Sequence, residues 1–221
     1  MFTLIQTAGG ETPAPNTVPE TSPESHSLPM IYLARHGETA WSITGQHTGL
    51  TDLPLTQRGE RDARALRERL KGYRFARVFT SPLQRAVRTC ELAGFAGQAE
   101  IENDLVEWNY GDYEGLRSDD IHAIHPNWDP FREGFPGGES LDEIGSRADR
   151  VVRRLRSVNG PAILFSSGHF LRFLAACWLG LKPESATYFL LSTSSLSTLT
   201  YEHNQAHPVI GLWNDTRHVE L

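Results

Sequence analysis

Arg35 and His36 form an adjacent pair that could bind and attack a phosphate group. A guanidinium group supplies a permanent positive charge with paired hydrogen-bond donors, and an imidazole can act as a nucleophile. Arg85 and the segment Ser167-Gly168-His169 each follow a further apolar run of the chain. Taken singly, each of these features could be a solvated turn or helix start. Their recurrence after three apolar runs favours one common site.

Glu107 is the carboxyl group best suited to proton transfer. Its neighbours Val106 and Trp108 are apolar, and partial burial between them would raise its pKa towards neutrality. The alternative is an ordinary exposed loop charge. Asp112 and Glu114 have no such apolar flank and are assigned structural roles.

Residues 41–52 form a polar segment punctuated by glycines, which predicts an irregular loop. Its backbone amides and hydroxyls could enclose an anion, although a plain surface loop has the same composition. The histidines at 122 and 125, and those at 203 and 207, are spaced so that each pair could share a ligand. No cysteine or carboxylate is placed to complete either pair, so no metal site is predicted.

Three short apolar runs predict strands that would position these residues, at 30–33, 75–80 and 161–166, and residues 100–103 form a further strand-like piece. Helices are predicted at 56–71, 81–93, 140–155 and 168–180, with Ser81, Pro82 and Gln84 forming a capping box with a proline start. Residues 196–201 and 208–213 predict two edge strands. Alternating strands and helices indicate an α/β class fold, a three-layer α/β/α sandwich with a largely parallel central sheet.

Composition limits the classes of function. The chain has 221 residues, and its net charge of −6 argues against partners such as nucleic acid or an anionic membrane surface. No run is long and apolar enough to span a membrane. Cys90 and Cys177 stand in apolar helical contexts, which indicates reduced thiols in a cytoplasmic protein. Residues 1–29 are rich in proline and predict a disordered tail before a single domain at 30–221.

Taken together, five motifs resemble the histidine phosphatase superfamily, in its phosphoglycerate-mutase-like branch. They are Arg-His-Gly-Glu-Thr at 35–39, the Thr48-Gly49 loop, the helix start at 80–86, the Glu107 loop and the turn at Gly168. Within this branch, the sequences of residues 45–52 and 107–115 are most similar to those of sugar-phosphate phosphatases of the sedoheptulose-bisphosphatase type. Mutases of this branch carry a longer insertion between the glutamate loop and the glycine turn, and they usually have Asn at the position of Ser42. Both differences favour hydrolysis over phosphoryl transfer in this chain.

The resemblance implies a mechanism without metal or cofactor. His36 would attack phosphorus and form a phosphohistidine, while Arg35 and Arg85 hold the phosphoryl oxygens. Glu107 would protonate the leaving oxygen and later take a proton from water. Ser42, Thr48, Gly49 and Gly168 would contribute to binding the substrate, a small phosphate ester.

One position departs from the family pattern. Family members carry a second catalytic histidine where this chain has Ser167, and the nearest imidazole is that of His169. Ser167 can donate one neutral hydrogen bond but no imidazolium charge, so the hypothesis is a weakened or specialised phosphatase. Under this hypothesis, either a local shift brings His169 into the pocket or the chain has lost activity. A bisphosphate-dependent mutase and a catalytically silent protein that binds phosphate esters are the alternatives.

Overall fold

A six-stranded sheet forms the centre of the computed structural model, which describes residues 28–219. The predicted tail therefore lies almost wholly outside the described residues. The strand order is β3-β2-β4-β1-β5-β6. The strands are β1 (Ile31–Arg35), β2 (Arg77–Thr80), β3 (Ala99–Ile101), β4 (Ala162–Ser166), β5 (Leu196–Tyr201) and β6 (Pro208–Asp215). The first four are mutually parallel where they pair, whereas β5 and β6 are antiparallel. The predicted α/β fold with a largely parallel sheet is confirmed.

The parallel register brings the predicted functional segments to one edge of the sheet. Arg35 lies opposite Ser166 in β4, and Thr80 lies opposite Phe165. The chain leaves all three strands at this level, so the residues that follow β1, β2 and β4 are neighbours. β4 is buried along its whole length, as expected of a central strand that is covered on both faces.

Seven α-helices accompany the described strands. They are α1 (Ala40–Thr44), α2 (Gln57–Arg69), α3 (Gln84–Cys90), α4 (Ser118–Ile124), α5 (Pro130–Glu133), α6 (Leu141–Arg156) and α7 (Gly168–Trp178). Apolar residues of α2 and α3 pack on one face of the sheet against Tyr32 and Ala34. Those of α6 and α7 pack on the other face against Ile31 and Leu33. This alternation along β1 produces the two hydrophobic cores that flank the sheet.

Three local predictions were wrong. The segment 41–52 begins with α1, because Thr39 and Ser42 form a capping box that initiates a short helix. α3 begins at Gln84 rather than at Pro82, and no capping box forms at Ser81. β5 is an internal strand between β1 and β6, so of the two strands predicted at the edge only β6 lies there.

Asp52 explains the later start of α3. Its carboxylate accepts a hydrogen bond from the Gln84 amide at 2.8 Å, and its carbonyl accepts one from the Gln84 side chain. A carboxylate from a distant loop therefore takes the role that the local pattern gave to Ser81. α3 ends at Cys90, and the chain continues in a π-helical turn in which Gly94 has φ 96°. The helix is therefore shorter than predicted.

No helix within residues 28–219 combines the length and hydropathy needed to cross a bilayer. Cys90 and Cys177 are free thiols. Burial raises the pKa of Cys90 to about 12 and that of Cys177 to about 11, so both stay protonated at neutral pH.

Candidate active site

A cavity of about 210 Å³ opens where β1 and β4 end. Seven of the predicted site residues line it: Arg35, His36, Ser42, Thr48, Glu107, Gly168 and His169. The other lining residues are Thr39, Gly45, Gln46, His47, Tyr110, Arg172 and Leu191. Arg85, Gly49 and Ser167 lie behind this lining. We call Arg35, His36 and Arg85 the nucleophile wall, and Glu107, Tyr110 and residues 167–169 the β4 wall.

His36 is held with one ring nitrogen committed to the backbone. Only 4% of the residue is exposed, and Nδ1 lies 2.8 Å from the carbonyl oxygen of Gly37. A carbonyl can only accept, so the neutral ring carries its proton on Nδ1 and keeps the Nε2 lone pair free. Burial, then the charges of Arg85 and Arg35, hold the pKa of His36 well below its usual value. The imidazole is therefore neutral at physiological pH, and its Nε2 lone pair is available for nucleophilic attack.

Arg35 is the last residue of β1 and faces the cavity. Its Nη1 donates to the carbonyl of Leu191 at 2.5 Å, whereas its buried Nε has no partner among the described residues. Gly168 allows this placement, because a methyl group there would lie 3.1 Å from the guanidinium carbon. Any side chain at 168 would push against the arginine.

Arg85 is fully buried near the start of α3. Its Nη1 donates to the Thr51 carbonyl at 2.9 Å, and its Nη2 donates to the Gly49 carbonyl at 2.8 Å. The same Nη2 lies 3.4 Å from Ser167 Oγ, which joins the nucleophile wall to the β4 wall. The buried Nε of Arg85 also lacks a partner within residues 28–219.

Positive charge is in excess in this part of the interior. Within residues 28–219 neither Arg35 nor Arg85 forms an ion pair with a carboxylate, and burial lowers the pKa of both guanidinium groups. The negative charge that acts most strongly on each is that of Glu107. A buried charge without a partner is costly, so two arginines with unpartnered Nε–H groups beside one glutamate favour an anionic ligand.

Close backbone contacts support the turn after His36. A methyl group on Gly37 would lie 2.5 Å from the carbonyl oxygen of Gly59 in α2, which no side chain can accommodate. The Gly37 amide donates to Thr89 Oγ1 at 3.0 Å, and that hydroxyl donates to the Arg85 carbonyl at 2.7 Å. The turn that follows His36 and the helix that carries Arg85 are thus directly connected.

Glu107 is buried, as its apolar neighbours predicted, with 5% of its surface exposed. Its carboxylate accepts hydrogen bonds from three backbone amides: Trp108 at 2.9 Å, His169 at 3.0 Å and Phe170 at 2.8 Å. The last two belong to the first turn of α7, so the carboxylate caps that helix. These donors fix the position of the carboxylate beside the cavity.

Arg147 fixes the loop that carries Glu107. Its guanidinium donates to the carbonyls of Asp104, Val106 and Glu107, and it pairs with Glu139 at 2.6 Å. Only 8% of the arginine side chain is exposed. Sequence reasoning assigned no role to this ion pair, because a helical arginine among many others gives no distinguishing signal.

Ser167 and His169 differ in their access to the cavity. Ser167 is fully buried and precedes α7 without capping it through its own side chain. His169 lines the cavity, and its Nδ1 lies 2.5 Å from the Tyr110 hydroxyl. Burial, followed by the charge of Arg172, holds the pKa of His169 well below its usual value.

Ser42, Thr48 and Gly49 belong to the loop that shapes one side of the cavity. Ser42 lines the cavity, but its hydroxyl caps α1 through Thr39. Thr48 also lines the cavity. The Gly49 amide donates to Glu114 at 2.9 Å, so it is already occupied. Glu114 has the structural role that the sequence suggested, and the binding roles of Ser42, Thr48 and Gly49 stay predictions.

Three of the seven cavity residues that sequence reasoning missed carry titratable side chains: His47, Tyr110 and Arg172. Arg172 lies three positions after His169 on α7, and this helical spacing was a usable signal. Tyr110 follows Glu107 at the same interval, but in a loop whose course could not be inferred. His47 packs against the Tyr110, Trp128 and Phe135 rings, and burial lowers its pKa to about 4.

The paired histidines lie elsewhere. His122 Nε2 lies 3.1 Å from the Trp128 carbonyl, and His125 lies near Glu133. His203 is exposed beside Glu202, and His207 contacts Asn204. Among residues 28–219, no cluster of three or more His, Cys, Asp or Glu side chains could hold a metal ion.

Comparison with known proteins gives a consistent family. The model of the histidine phosphatase superfamily (branch 1) matches residues 31–216. An acid phosphatase of Mycobacterium tuberculosis is 36% identical over 177 residues, covering 78% of this chain and 87% of the relative. Sedoheptulose 1,7-bisphosphatase of Saccharomyces cerevisiae is 34% identical over 190 residues, covering 71% and 69%. A probable phosphoglycerate mutase of Photorhabdus laumondii is 32% identical, covering 79% and 86%.

A solved structure agrees with these matches. The product of an open reading frame of Mycobacterium tuberculosis superposes with a TM-score of 0.79 and is 32% identical in sequence. The superposition covers 84% of this chain and 96% of the other.

Proposed function

Because this chain belongs to the histidine phosphatase superfamily (branch 1), we propose that it hydrolyses small phosphate monoesters through a phosphohistidine on His36. The observation that carries the proposal is the neutral, buried imidazole of His36 between two arginines with unpartnered Nε–H groups. The relatives with phosphatase names support hydrolysis, and those that act on sugar phosphates suggest a substrate of that class.

In the first half of the reaction, the Nε2 lone pair of His36 attacks phosphorus and the P–O ester bond breaks. Arg35 and Arg85 stabilise the charge on the phosphoryl oxygens. The leaving alkoxide takes a proton from Glu107. In the second half, water attacks the phosphohistidine, Glu107 accepts its proton, and the P–N bond breaks to regenerate neutral His36 and release phosphate.

Glu107 needs a proton before the first half, and its carboxylate oxygens already accept hydrogen bonds from three backbone amides. We infer that the substrate delivers this proton, since a phosphate monoester is a monoanion below its second pKa of about 6. The kcat/KM of the enzyme should therefore decline as the pH rises above about 6. This dependence would make the enzyme an acid phosphatase in type.

Metal independence belongs to the same proposal. The two buried guanidinium groups supply positive charge where a metalloenzyme would use its ion. Activity should then be unchanged after exhaustive treatment with a chelator, and it should not increase when divalent cations are added back.

The test is phosphate release from a panel of sugar phosphates and simpler esters at pH 5 to 8, with and without chelator. His36→Ala serves as the blank. We expect phosphate release to require His36, to slow above about pH 6 and to be unaffected by the chelator. Equal release by the His36→Ala variant would refute the proposed nucleophile.

A protein that binds phosphate esters without turnover is the second candidate, and Ser167 is the observation that favours it. Tight binding of a sugar phosphate by calorimetry, with no phosphate released and no label on His36, would select it. The mutase alternative is less supported. It would require isomerisation of a phosphoglycerate that depends on added bisphosphate, which a chromatographic assay of the products detects.

A further inference from the structure

We propose that Tyr110 sets the tautomer of His169, so that His169 presents Nε2–H to the phosphoryl group in place of the family imidazole missing at Ser167. Tyr110 is a positioning residue and His169 is the hydrogen-bond donor. The inference rests on the proposed phosphatase function, which it deepens by assigning two side chains of the β4 wall.

The first step is that the Tyr110–His169 hydrogen bond stands apart from other polar groups. The hydroxyl and Nδ1 lie 2.5 Å apart, and Tyr110 is 2% exposed. Among residues 28–219, neither atom has another hydrogen-bond partner. Rings pack around the pair: Trp108 lies 5.9 Å and Phe131 5.5 Å from the His169 ring, centroid to centroid. The two side chains therefore depend on each other for hydrogen bonding.

The second step is the direction of this bond. A tyrosine hydroxyl has one proton, and His169 Nδ1 is the only acceptor it contacts in the described part of the chain. If Nδ1–H donated instead, the buried hydroxyl proton would have no acceptor, which is unfavourable. Burial keeps the hydroxyl protonated, because it raises the pKa of Tyr110 well above its usual value. The hydroxyl therefore donates to Nδ1.

The third step is the position of the remaining ring nitrogen. The His169 ring is neutral, since burial and the charges of Arg172 and Arg35 disfavour a second proton. A neutral ring that accepts at Nδ1 carries its proton on Nε2. Within residues 28–219, Nε2 of His169 has no hydrogen-bond partner. Unlike Nε2 of His47, which also lacks a partner, it is not a buried atom. Nε2–H of His169 is thus accessible from the cavity that His36 and Arg35 also line.

The fourth step is the fit of such a donor to an anion. The alternative tautomer would turn a lone pair towards the oxygens of a bound phosphate, which also carry lone pairs. The backbone of His169 is itself fixed, because its amide donates to Glu107 at 3.0 Å. A neutral donor on a fixed backbone resembles an oxyanion-hole group, whose removal costs on the order of 100-fold in rate.

The experiment compares His169→Gln with His169→Asn in the phosphate-release assay. The Gln amide nitrogen can reach the position of Nε2, whereas the Asn amide nitrogen reaches that of Nδ1. We expect Gln to keep kcat within about tenfold of the wild type and Asn to lose about 100-fold, with similar KM values. Equal losses in both variants would overturn the assignment of the donor to Nε2.

Tyr110→Phe tests the positioning role, because it removes only the hydroxyl. We expect kcat to fall about tenfold while KM changes less than about threefold. Tyr113→Phe is the matched control: Tyr113 packs on Trp128 and Phe135 in the same aromatic cluster, and it should keep full activity. A Tyr110→Phe variant with wild-type kcat would contradict the proposal.

A measurement without substrate separates this proposal from the proposed function. Long-range proton–nitrogen correlation spectra of the 15N-labelled protein report which ring nitrogen of His169 carries the proton. We expect Nε2–H in the wild type and a mixture of tautomers in Tyr110→Phe. A proton on Nδ1 in the wild type would refute the inference even if the enzyme is active. An inactive wild type with the proton on Nε2 would refute the proposed function and leave the tautomer assignment standing.

Discussion

The nucleophile wall and the β4 wall of the cavity are stabilised in different ways. In the nucleophile wall, backbone groups hold every functional side chain: His36 by the Gly37 carbonyl, Arg35 by the Leu191 carbonyl and Arg85 by loop carbonyls. In the β4 wall, backbone amides hold the Glu107 carboxylate at the start of α7, but Tyr110 and His169 hold each other through their side chains.

The difference suggests where the site can vary. A backbone carbonyl is present whatever the sequence, so the nucleophile wall depends on the fold and on a few glycines such as Gly37. The β4 wall depends on the choice of side chains, and it is here that Ser167 replaces a histidine of the family pattern. Substitutions in the two walls should therefore have unequal consequences.

Arg85→Lys should give the largest effect, because lysine keeps the charge but cannot reproduce the forked set of hydrogen bonds. We expect kcat/KM to fall by about 100- to 1,000-fold in the steady-state assay. Arg64→Lys is the control, since Arg64 is about half exposed and its pair with Glu60 lies on the surface. Near-normal activity of Arg85→Lys would mean that the nucleophile wall needs only charge.

Arg147→Met tests the support of the Glu107 loop. The variant leaves Glu139, whose side chain is only 16% exposed, without its partner and frees three carbonyls, so we expect the free energy of unfolding in urea to fall by about 3 kcal/mol. Arg150→Met is the control. Arg150 lies on the same helix as Arg147 and forms a half-exposed ion pair with Asp104, so its loss should lower the free energy of unfolding by less than about 1 kcal/mol. Equal losses in the two variants would show that the buried pair has no special role.

His47→Phe tests the buried imidazole beside the β4 wall. The pKa of His47 is lowered from 6.5 to about 4 in the folded state, so the unfolded chain binds more protons below pH 6.5. The stability that the neutral ring contributes is complete above that pH and is lost as the pH falls towards 4. His47→Phe should thus resist acid better, with a gain near pH 5 of about 2 kcal/mol relative to pH 8. Urea titrations at both pH values measure this gain, and parallel stability curves for variant and wild type would contradict it.

Ser167→His should have the smallest effect if His169 already supplies the donor. We expect kcat to rise less than about tenfold in the wild-type background and more in the His169→Asn background. Kinetics of the single and double variants, with unfolding curves as a check on packing, measure the coupling. A large gain in the wild-type background would mean that Ser167 limits the chemistry, as the sequence hypothesis held.

Much of the fold was predictable because its signals are local. Apolar runs located β1, β2 and β4, and helical spacing located α2, α6 and α7. The start of α3 was wrong, because its amide is capped by Asp52, more than thirty residues away in the chain. α1 was missed since its capping box pairs Thr39 with a serine, whose weaker signal stood inside a glycine-rich segment.

The site was predictable where side chains follow strand ends, and less so where tertiary contacts decide. The positions of Arg35, His36 and Glu107 at the cavity follow from the chain order and the family pattern. The occupation of the Gly49 amide by Glu114, and the contact of Tyr110 with His169, join residues that are distant in the sequence. No local pattern encodes such contacts, because they depend on how the loops pack.

The most direct measurement of the central claim is rapid-quench trapping with a 32P-labelled phosphate ester, followed by peptide mapping. The proposed mechanism predicts a label on His36 that is lost in acid, stable in base and absent from the His36→Ala variant. Its formation and decay should keep pace with turnover. Phosphate release at the full rate with no label on His36, or with the label on another residue, would contradict it.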